Sequence, residues 1–446
     1  MKKICMFCMT LLSVACLMHM TGCAQDTGTI SATQATAIPT QFCLEDLDRY
    51  VIVYPGNNPD YLALANRLAD QIFEKYDVFL QIVCDADTSP AECEILLGDT
   101  NRHNQNTKVM EYSVTVADGK FQINAGGSFS AEKAIDLLCQ VLFNGQPFAV
   151  DNGTYYETSL LTTVQSVMDG STARIMSANI LADAFADESY RSAFYRAEIF
   201  AGMLVSYTPD VLGLQEADEN WNRALAYYLA KLQNAHGIAY SQLLSTYENK
   251  TNYTSFVYRS DRFQPEDSGV HVFGWWTDST FGHNYHMRNI SWAQFSALEN
   301  PQSRFLVANT HWSYRTEHAD GHHYLTGSDA PIAADELRMQ CKEETDRFLS
   351  SVRQSHPQIP ILLTGDFNTS LSFFTEGGWT PADFSIISEA ARSSGKALSL
   401  VPASGHFDHI FGAGNYTILC YGQVKDVNEH HLLTDHPFVY TDLMFN

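Results

Sequence analysis

From residue 172 onward the chain repeats one device, an apolar run that stops at a residue able to do chemistry. Arg174-Ile175-Met176-Ser177-Ala178 leads to Asn179, and Asp210-Val211-Leu212-Gly213-Leu214-Gln215 leads to Glu216. Phe305-Leu306-Val307-Ala308-Asn309-Thr310 leads to His311, and Ile361-Leu362-Leu363-Thr364-Gly365 leads to Asp366, with Asn368 two residues on. Phe407-Asp408-His409-Ile410-Phe411 and Leu433-Thr434-Asp435-His436-Pro437 complete the series. Short apolar runs bounded in this way read as strands, and the stretch from Arg191 to Tyr207 between the first two reads as a helix. Polar residues at strand ends converge at one rim of a sheet, where sites are commonly built. Singly each piece is weak: a Glu after a strand is ordinarily surface, and Gly365-Asp366-Phe367-Asn368 fits a tight turn. Six pieces in one ordered series are not a chance assembly.

Composition limits what such a site can act on. The 446 residues hold 51 acidic and 27 basic side chains, a formal charge of −24. With 45% hydrophobic and 12% aromatic residues, the chain has enough apolar surface for a proper core. Its length fits two or three domains at about 150 residues each. The charge argues against salt-driven wrapping of nucleic acid and against unassisted docking on anionic lipid. A phosphorylated substrate remains open, provided cations offset the repulsion.

The N-terminus reads as an export signal. Lys2 and Lys3 precede an apolar run from Ile4 to Met18, too short to span a bilayer comfortably, followed by Met20-Thr21-Gly22-Cys23. That tetrad resembles the lipobox of bacterial lipoproteins, which implies cleavage after residue 22, lipidation of Cys23 and a place on the cell surface. The alternative is an ordinary secretory signal with an incidental Cys. Removing the leader takes two lysines and no acid, so the remainder is more acidic still. No later segment has the unbroken apolar length of a membrane span, so the rest reads as soluble. Residues 23–42, rich in Thr, Ala, Ser and Gln, read as a tether. Of the later cysteines, Cys84 and Cys93 are the nearest local pair for a disulfide in an exported protein, and the others read mainly as packing residues. No Cys/His spacing argues for zinc.

Residues 43–165 read as a small α+β domain. Tyr61, Leu64, Leu68, Ile72 and Tyr76 recur at helical spacing, Val78 to Val83 and Glu94 to Gly98 read as strands, and Tyr112 to Ala125 reads as a hairpin around Asp118-Gly119. Ala131, Ile135, Leu138 and Leu142 form a second helical stripe. The run Glu94-Ile95-Leu96-Leu97-Gly98-Asp99-Thr100-Asn101-Arg102, with its hairpin and helix, faintly resembles the non-catalytic N-terminal domain of bacterial β-hexosaminidases. Both a plain spacer and a carbohydrate contact are compatible with it.

The ordered series over residues 172–446 resembles the endonuclease/exonuclease/phosphatase superfamily. Phe256-Val257-Tyr258-Arg259 and Arg288-Asn289-Ile290-Ser291-Trp292-Ala293-Gln294-Phe295 resemble internal strands of that fold and read as core. The resemblance implies an α/β fold, a four-layer sandwich of two packed mixed sheets. It implies a phosphoesterase in which Mg²⁺ or Mn²⁺, a hard cation with oxygen ligands, neutralises phosphate charge and activates water. For the matching positions it implies Glu216 on the metal, Asn179 beside it as a neutral oxygen ligand, and Asp435 as a further ligand. Asp366 would orient or deprotonate the attacking water, and Asn368 would donate to the phosphate or nucleophile. His311 and His436 would flank the phosphate, with Asp408 holding His436 in one tautomer.

Some stretches depart from the family pattern. His409 stands where relatives often carry an aromatic and reads as packing or rim. The stretch from His318 through His322-His323 to Asp335 reads as a solvated insertion, with a substrate-facing loop or a histidine metal site as alternatives. Trp275-Trp276 and His283-Asn284-Tyr285-His286 form a further rim or core segment. The substrate class stays open between nucleic acid, a phospholipid head group and a small phosphoester. Neither a basic recognition loop nor the Trp-Cys-Asp-Arg signature of inositol phosphatases is present. The competing class is a non-catalytic lipoprotein that binds a phosphorylated or glycan ligand. The complete set of acids and histidines weighs against it.

Overall fold

The computed structural model describes residues 42–103, 106–117, 120–141, 165–184, 190–247, 253–273, 288–312, 334–369, 407–424 and 429–446, with short pieces between them. The leader, Cys23, the tether up to residue 41, Trp275-Trp276, His283 to His286, His318 and His322 lie outside the described residues. Among the described residues no helix is long and apolar enough to cross a membrane. Residues 40–446 form one compact unit.

The N-terminal segment builds its own six-stranded mixed sheet. Its elements are β1 (Val51–Tyr54), α1 (Asp60–Tyr76), β2 (Gln81–Cys84), β3 (Glu94–Leu97), β4 (Glu111–Ala117), β5 (Lys120–Ala125), α2 (Ser128–Val141) and β6 (Gly153–Ser159). The strand order is β2-β1-β3-β5-β4-β6. Helix α1 buries the face made by Tyr61, Leu64, Leu68 and Ile72, as the spacing predicts, and ends where Asp77 turns left-handed.

The expected Cys84–Cys93 disulfide is absent, and both thiols are free. The strand order explains the error. Cys84 pairs with Tyr54 at the end of β1, whereas the Cys93 carbonyl accepts from Val51 N–H at its start, on the other side of that strand. A strand's length and two strand spacings therefore separate them, well beyond the ~7 Å limit between Cα atoms for a disulfide.

Residues 172–446 contribute the elements of a two-sheet sandwich. These are β7 (Ala173–Asn179), α3 (Ala193–Tyr207), β8 (Val211–Gln215), α4 (Glu219–Lys231), β9 (Tyr240–Leu243), β10 (Ser255–Arg259), β11 (Phe263–Val272) and β12 (Asn289–Ala297). They continue with β13 (Arg304–His311), α5 (Ala334–Ser355), β14 (Ile361–Asp366), β15 (Ser385–Ile386), β16 (Asp408–Ala413), β17 (Tyr416–Val424) and β18 (Phe438–Phe445). One sheet has the order β9-β10-β8-β7-β18-β17 and the other β11-β12-β13-β14-β16-β15. Each sheet is antiparallel except for one central parallel pair, β7 with β8 and β13 with β14.

Alternation along these strands makes the layers. Ile175, Val211, Phe256 and Val439 of the first sheet meet Phe295, Val307, Leu362 and Ile410 of the second in a core between the sheets. Met176, Leu212 and Leu214 point the other way, under Phe200, Leu204 and Trp221 of α3 and α4. Leu306, Ala308, Leu363 and Phe411 pack beneath Cys341, Phe348 and Leu349 of α5. The order is helices, sheet, sheet, helix, the four layers expected. At roughly 1.5–3 kcal/mol per buried Leu, Ile, Val or Phe, the three contact surfaces are the main stabilising term.

At the end of the sandwich where β7 begins, Arg174 and Asp442 form a fully buried ion pair, Nε to Oδ1 at 2.6 Å, between β7 and β18. Arg174 also donates to the carbonyls of Gln165, Ser166 and Tyr207. This polar anchor leaves the opposite strand ends free to carry chemistry.

Candidate active site

The two parallel pairs present their carboxyl ends at the same rim. In the first pair Asn179 is the register partner of Gln215, one residue before Glu216. In the second, His311 is the partner of Asp366, and Asp366 is also opposite Asp408 at the start of β16. His436 sits just before β18, the other neighbour of β7. Asn179, Glu216, Asp366, His311, Asp408 and His436 therefore form one cluster drawn from both sheets.

Asn179 is the centre of it. Its Oδ1 accepts from Leu181 N–H at 3.0 Å. That bond turns Nδ2 toward the acids, where it donates to Glu216 Oε1 at 3.1 Å and Asp366 Oδ2 at 3.0 Å. One amide nitrogen thus holds two carboxylates from two sheets. The other Glu216 oxygen accepts from Ala182 N–H at 2.9 Å, and Asp366 Oδ1 accepts from Asn368 N–H at 2.9 Å.

The backbone is bent to allow this. Leu181 (φ 55°), Glu216 (φ 64°) and Asn368 (φ 52°) all take the left-handed conformation, costly for residues with a Cβ. The bend after β8 carries the Glu216 carboxylate to Ala182 N–H, and the bend after Asp366 lets Asn368 Nδ2 donate to Trp312 O at 3.0 Å. Asn368 thereby ties the ends of β13 and β14 together.

The histidines complete the ring. His436 Nδ1 meets Asp408 Oδ2 at 2.8 Å, and its Nε2 lies 3.9 Å from Asp366 Oδ2. His311 Nε2 lies 3.5 Å from the same oxygen. Asp435 is placed differently. It is 59% exposed in its side chain and 4.0 Å from His436 Nε2, at the rim and not in the cluster. His409 turns away from the site and packs against Phe367 and Phe374, as its packing role predicts.

Burial sets the electrostatics. It raises Glu216 above its ordinary value, against hydrogen bonds from Ala182 and Asn179, and the Asp366 charge adds to the rise. Burial also pushes Asp366 up to about 6, although His436 opposes it. For His436, burial disfavours the imidazolium, but the Asp408 and then Asp366 carboxylates outweigh it and raise the ring well above its ordinary value.

Two buried carboxylates, Asp366 and Asp408, with the half-buried Glu216 beside them, are an oxygen-rich, electron-rich donor set that suits a hard divalent cation. Asp366, Asp408 and His436 place ligand atoms within 4.8 Å of one another. The buried Asp408 Oδ1 has no hydrogen-bond partner among the described residues. Glu216 and Asp366 share a single neutral donor in Asn179. The residues present fit such a cation.

Several functional neighbours were not read from the sequence. Thr434 Oγ1 donates to Asn179 O at 2.9 Å and accepts from His436 N–H at 3.2 Å, joining the two ends of the cluster. Arg288 Nη1 donates to His311 O at 3.0 Å. Below Glu216, Gln215 Nε2 crosses between the sheets to Asn309 Oδ1 at 2.6 Å, and Asn309 Nδ2 returns to Leu214 O at 2.7 Å. The adjacency of Gln215 to Glu216, and of Thr434 to His436, was the available signal.

The fold and site define a two-sheet α/β sandwich with an acidic, histidine-bearing centre at its strand ends. No protein-family model matches the chain, and no curated protein matches it. Among solved structures it is similar to an endonuclease/exonuclease/phosphatase from Bacteroides vulgatus, at 20% identity and a TM-score of 0.47, over 61% of this chain and 99% of the other. It is also similar to the human nocturnin catalytic domain with bound sulfate, at 17% identity and TM-score 0.45, over 63% and 97% of the two chains. A third is a mannosyl-6-phosphatase from Bacteroides thetaiotaomicron, at 17% identity and TM-score 0.43, over 61% and 100%.

Proposed function

We propose that this chain is a divalent-cation-dependent phosphoesterase. The observation that carries the reading is the meeting of Glu216 and Asp366, one from each sheet, over the shared Asn179 amide, with His311 and the Asp408–His436 pair around them. Glu216 would hold the cation, with Asp366 beside it across the shared Asn179 amide. The chemistry it supplies when bound is Lewis-acid charge beside the phosphate and a more acidic water.

The chain's own residues then divide the remaining work. Asn179 fixes the separation of Glu216 and Asp366 through Nδ2. Asp366, pushed up to about 6, is poised to take a proton from a water near neutral pH. His436, kept protonated by Asp408, donates to the charge that develops on phosphate oxygens, and His311 does the same from the other flank. Asp435 stands where it can reach solvent or substrate, with His436 Nε2 between it and the cluster.

The test is hydrolysis of bis(p-nitrophenyl) phosphate by the chelated protein, with Mg²⁺ or Mn²⁺ added back. We expect activity only with the cation, lost in Glu216→Ala and His436→Ala. Ligand capture without turnover at any cation concentration would replace this reading with a binding protein.

We also read the chain as exported and lipid-anchored at Cys23, on the strength of the leader sequence alone. Metabolic labelling with a fatty-acid analogue should mark the wild type and not Cys23→Ser. Equal labelling of the two would sink the anchor.

A further inference from the structure

Helix α3 has both of its long sides occupied. One side carries Arg196, whose side chain is fully buried behind the cluster. Its Nη1 donates to Ile180 O (3.1 Å), Leu181 O (2.7 Å) and Leu433 O (3.3 Å), and Nη2 faces Asp183 Oδ1 at 3.3 Å. The guanidinium stacks on Trp221, whose Nε1 donates to the same Leu181 carbonyl at 2.8 Å. These acceptors belong to the two segments that build the site. The 180–183 segment supplies the N–H groups that hold Asn179 and Glu216, and Leu433 adjoins Thr434, which binds both Asn179 and His436.

The other side of α3 is held by the N-terminal segment. Glu198, fully buried, accepts from Met110 N–H and Ser130 N–H, both at 3.0 Å, the second in the first turn of α2. Tyr195 Oη donates to Glu132 Oε2 at 2.6 Å, and Ser192, the N-cap of α3, donates to the Asp60 carboxylate at 2.7 Å. Val109, Met110 and Phe129 join the core beneath α3 and α4. Gly127 packs so closely that a Cβ there would meet Glu198 Oε2 at 2.5 Å.

We propose that α3 couples the N-terminal layer to the site, with Arg196 as the positioning residue at the site end. The N-terminal layer is then a buttress of the catalytic apparatus, beyond any role as a spacer. Arg suits this role because its planar fork serves several fixed acceptors at once, whereas a lysine ammonium is a point charge on a flexible stem. Groups that orient metal-holding carboxylates typically change metal affinity or activity by ~10–100-fold when removed.

The inference rests on the proposed cation site, so its test separates the two. In the full chain, the Mn²⁺ dissociation constant is measured by calorimetry, alongside kcat, KM and the melting curve, for wild type, Arg196→Lys and Glu198→Gln. Glu198→Gln is isosteric, but its amide offers one acceptor where two N–H groups need one each. We expect weaker Mn²⁺ binding and lower kcat for both, by ~10–100-fold for Arg196→Lys and less for Glu198→Gln, at temperatures where both remain folded. A lower melting temperature with unchanged Mn²⁺ affinity and kcat in both variants would overturn the coupling. A change in Arg196→Lys alone would overturn the part played by the N-terminal layer. If Arg196→Lys does not fold, Glu198→Gln decides by the same readouts. Absence of Mn²⁺ binding in the wild type would instead remove the cation site itself.

Discussion

Replacing Asp366 with asparagine is expected to lower cation-dependent diester hydrolysis by ~10²–10⁴-fold, the range that loss of a positioned acid or base produces. The geometry makes this position sensitive. Asp366 Oδ2 accepts from Asn179 and faces both His311 and His436, while Oδ1 accepts from Asn368 N–H. An asparagine keeps the shape, but its amide nitrogen must face one of two donors, Asn179 Nδ2 or Asn368 N–H, and it takes no proton from water. The check is kcat/KM across a Mn²⁺ titration, with circular dichroism confirming the fold. Activity within threefold of wild type, ~0.7 kcal/mol in barrier, would remove Asp366 from the chemistry.

The same residue has a stability signature in the cation-free protein. Its folded value of about 6 lies above the ordinary 3.8, so between those values the folded state binds more protons than the unfolded one. Its contribution is complete below the ordinary value and is lost as pH rises through about 6. Melting temperature with chelator should therefore decline over that window in the wild type and stay flatter in Asp366→Asn.

The second large effect is expected at Asp408. His436 Nδ1 meets Asp408 Oδ2 at 2.8 Å, and that carboxylate is the main reason the imidazolium persists. Asp408→Asn keeps the size and removes the charge, so turnover should fall by ~10²-fold or more. The alkaline limb of the rate profile should move to lower pH, because His436 then loses its proton sooner. The matching stability term has the opposite sense to the usual carboxylate case. A histidine raised on folding adds stability below its unfolded value of roughly 6.5, and the addition disappears as pH climbs through the folded value. An unchanged alkaline limb in Asp408→Asn would mean that His436 is not the acid the rate depends on.

The parts of this site that were legible in the sequence share one property: each is contiguous. An apolar run ending in Glu216 or Asp366 can be read locally, because strand period and strand end are set by neighbouring residues. The Asn179 bridge was not legible in that way. Its side chain belongs beside Glu216 by parallel register within one sheet, but beside Asp366 only because the two sheets stack. The Gln215–Asn309 bond across the sheets is hidden for the same reason. Helix α3 shows the limit differently. It is buried along nearly its whole circumference, between sheet and N-terminal layer, so no polar stripe marks which face meets which partner. The disulfide expected between Cys84 and Cys93 failed on strand order, which spacing along the chain does not encode.

The left-handed bends at Leu181, Glu216 and Asn368 have a bearing on how such a protein would respond to selection. At each position glycine relieves backbone strain on the order of 1 kcal/mol or more. At Glu216 and Asn368, the same change deletes a side chain that helps build the site. Where that relief exceeds the hydrogen bonds lost with the side chain, a screen rewarding heat resistance alone would favour substitutions that dismantle the proposed site, and would score them as improvements. Robustness and chemistry compete here for the same few residues, so a library aimed at a hardier variant should leave these positions fixed and search the remainder of the fold.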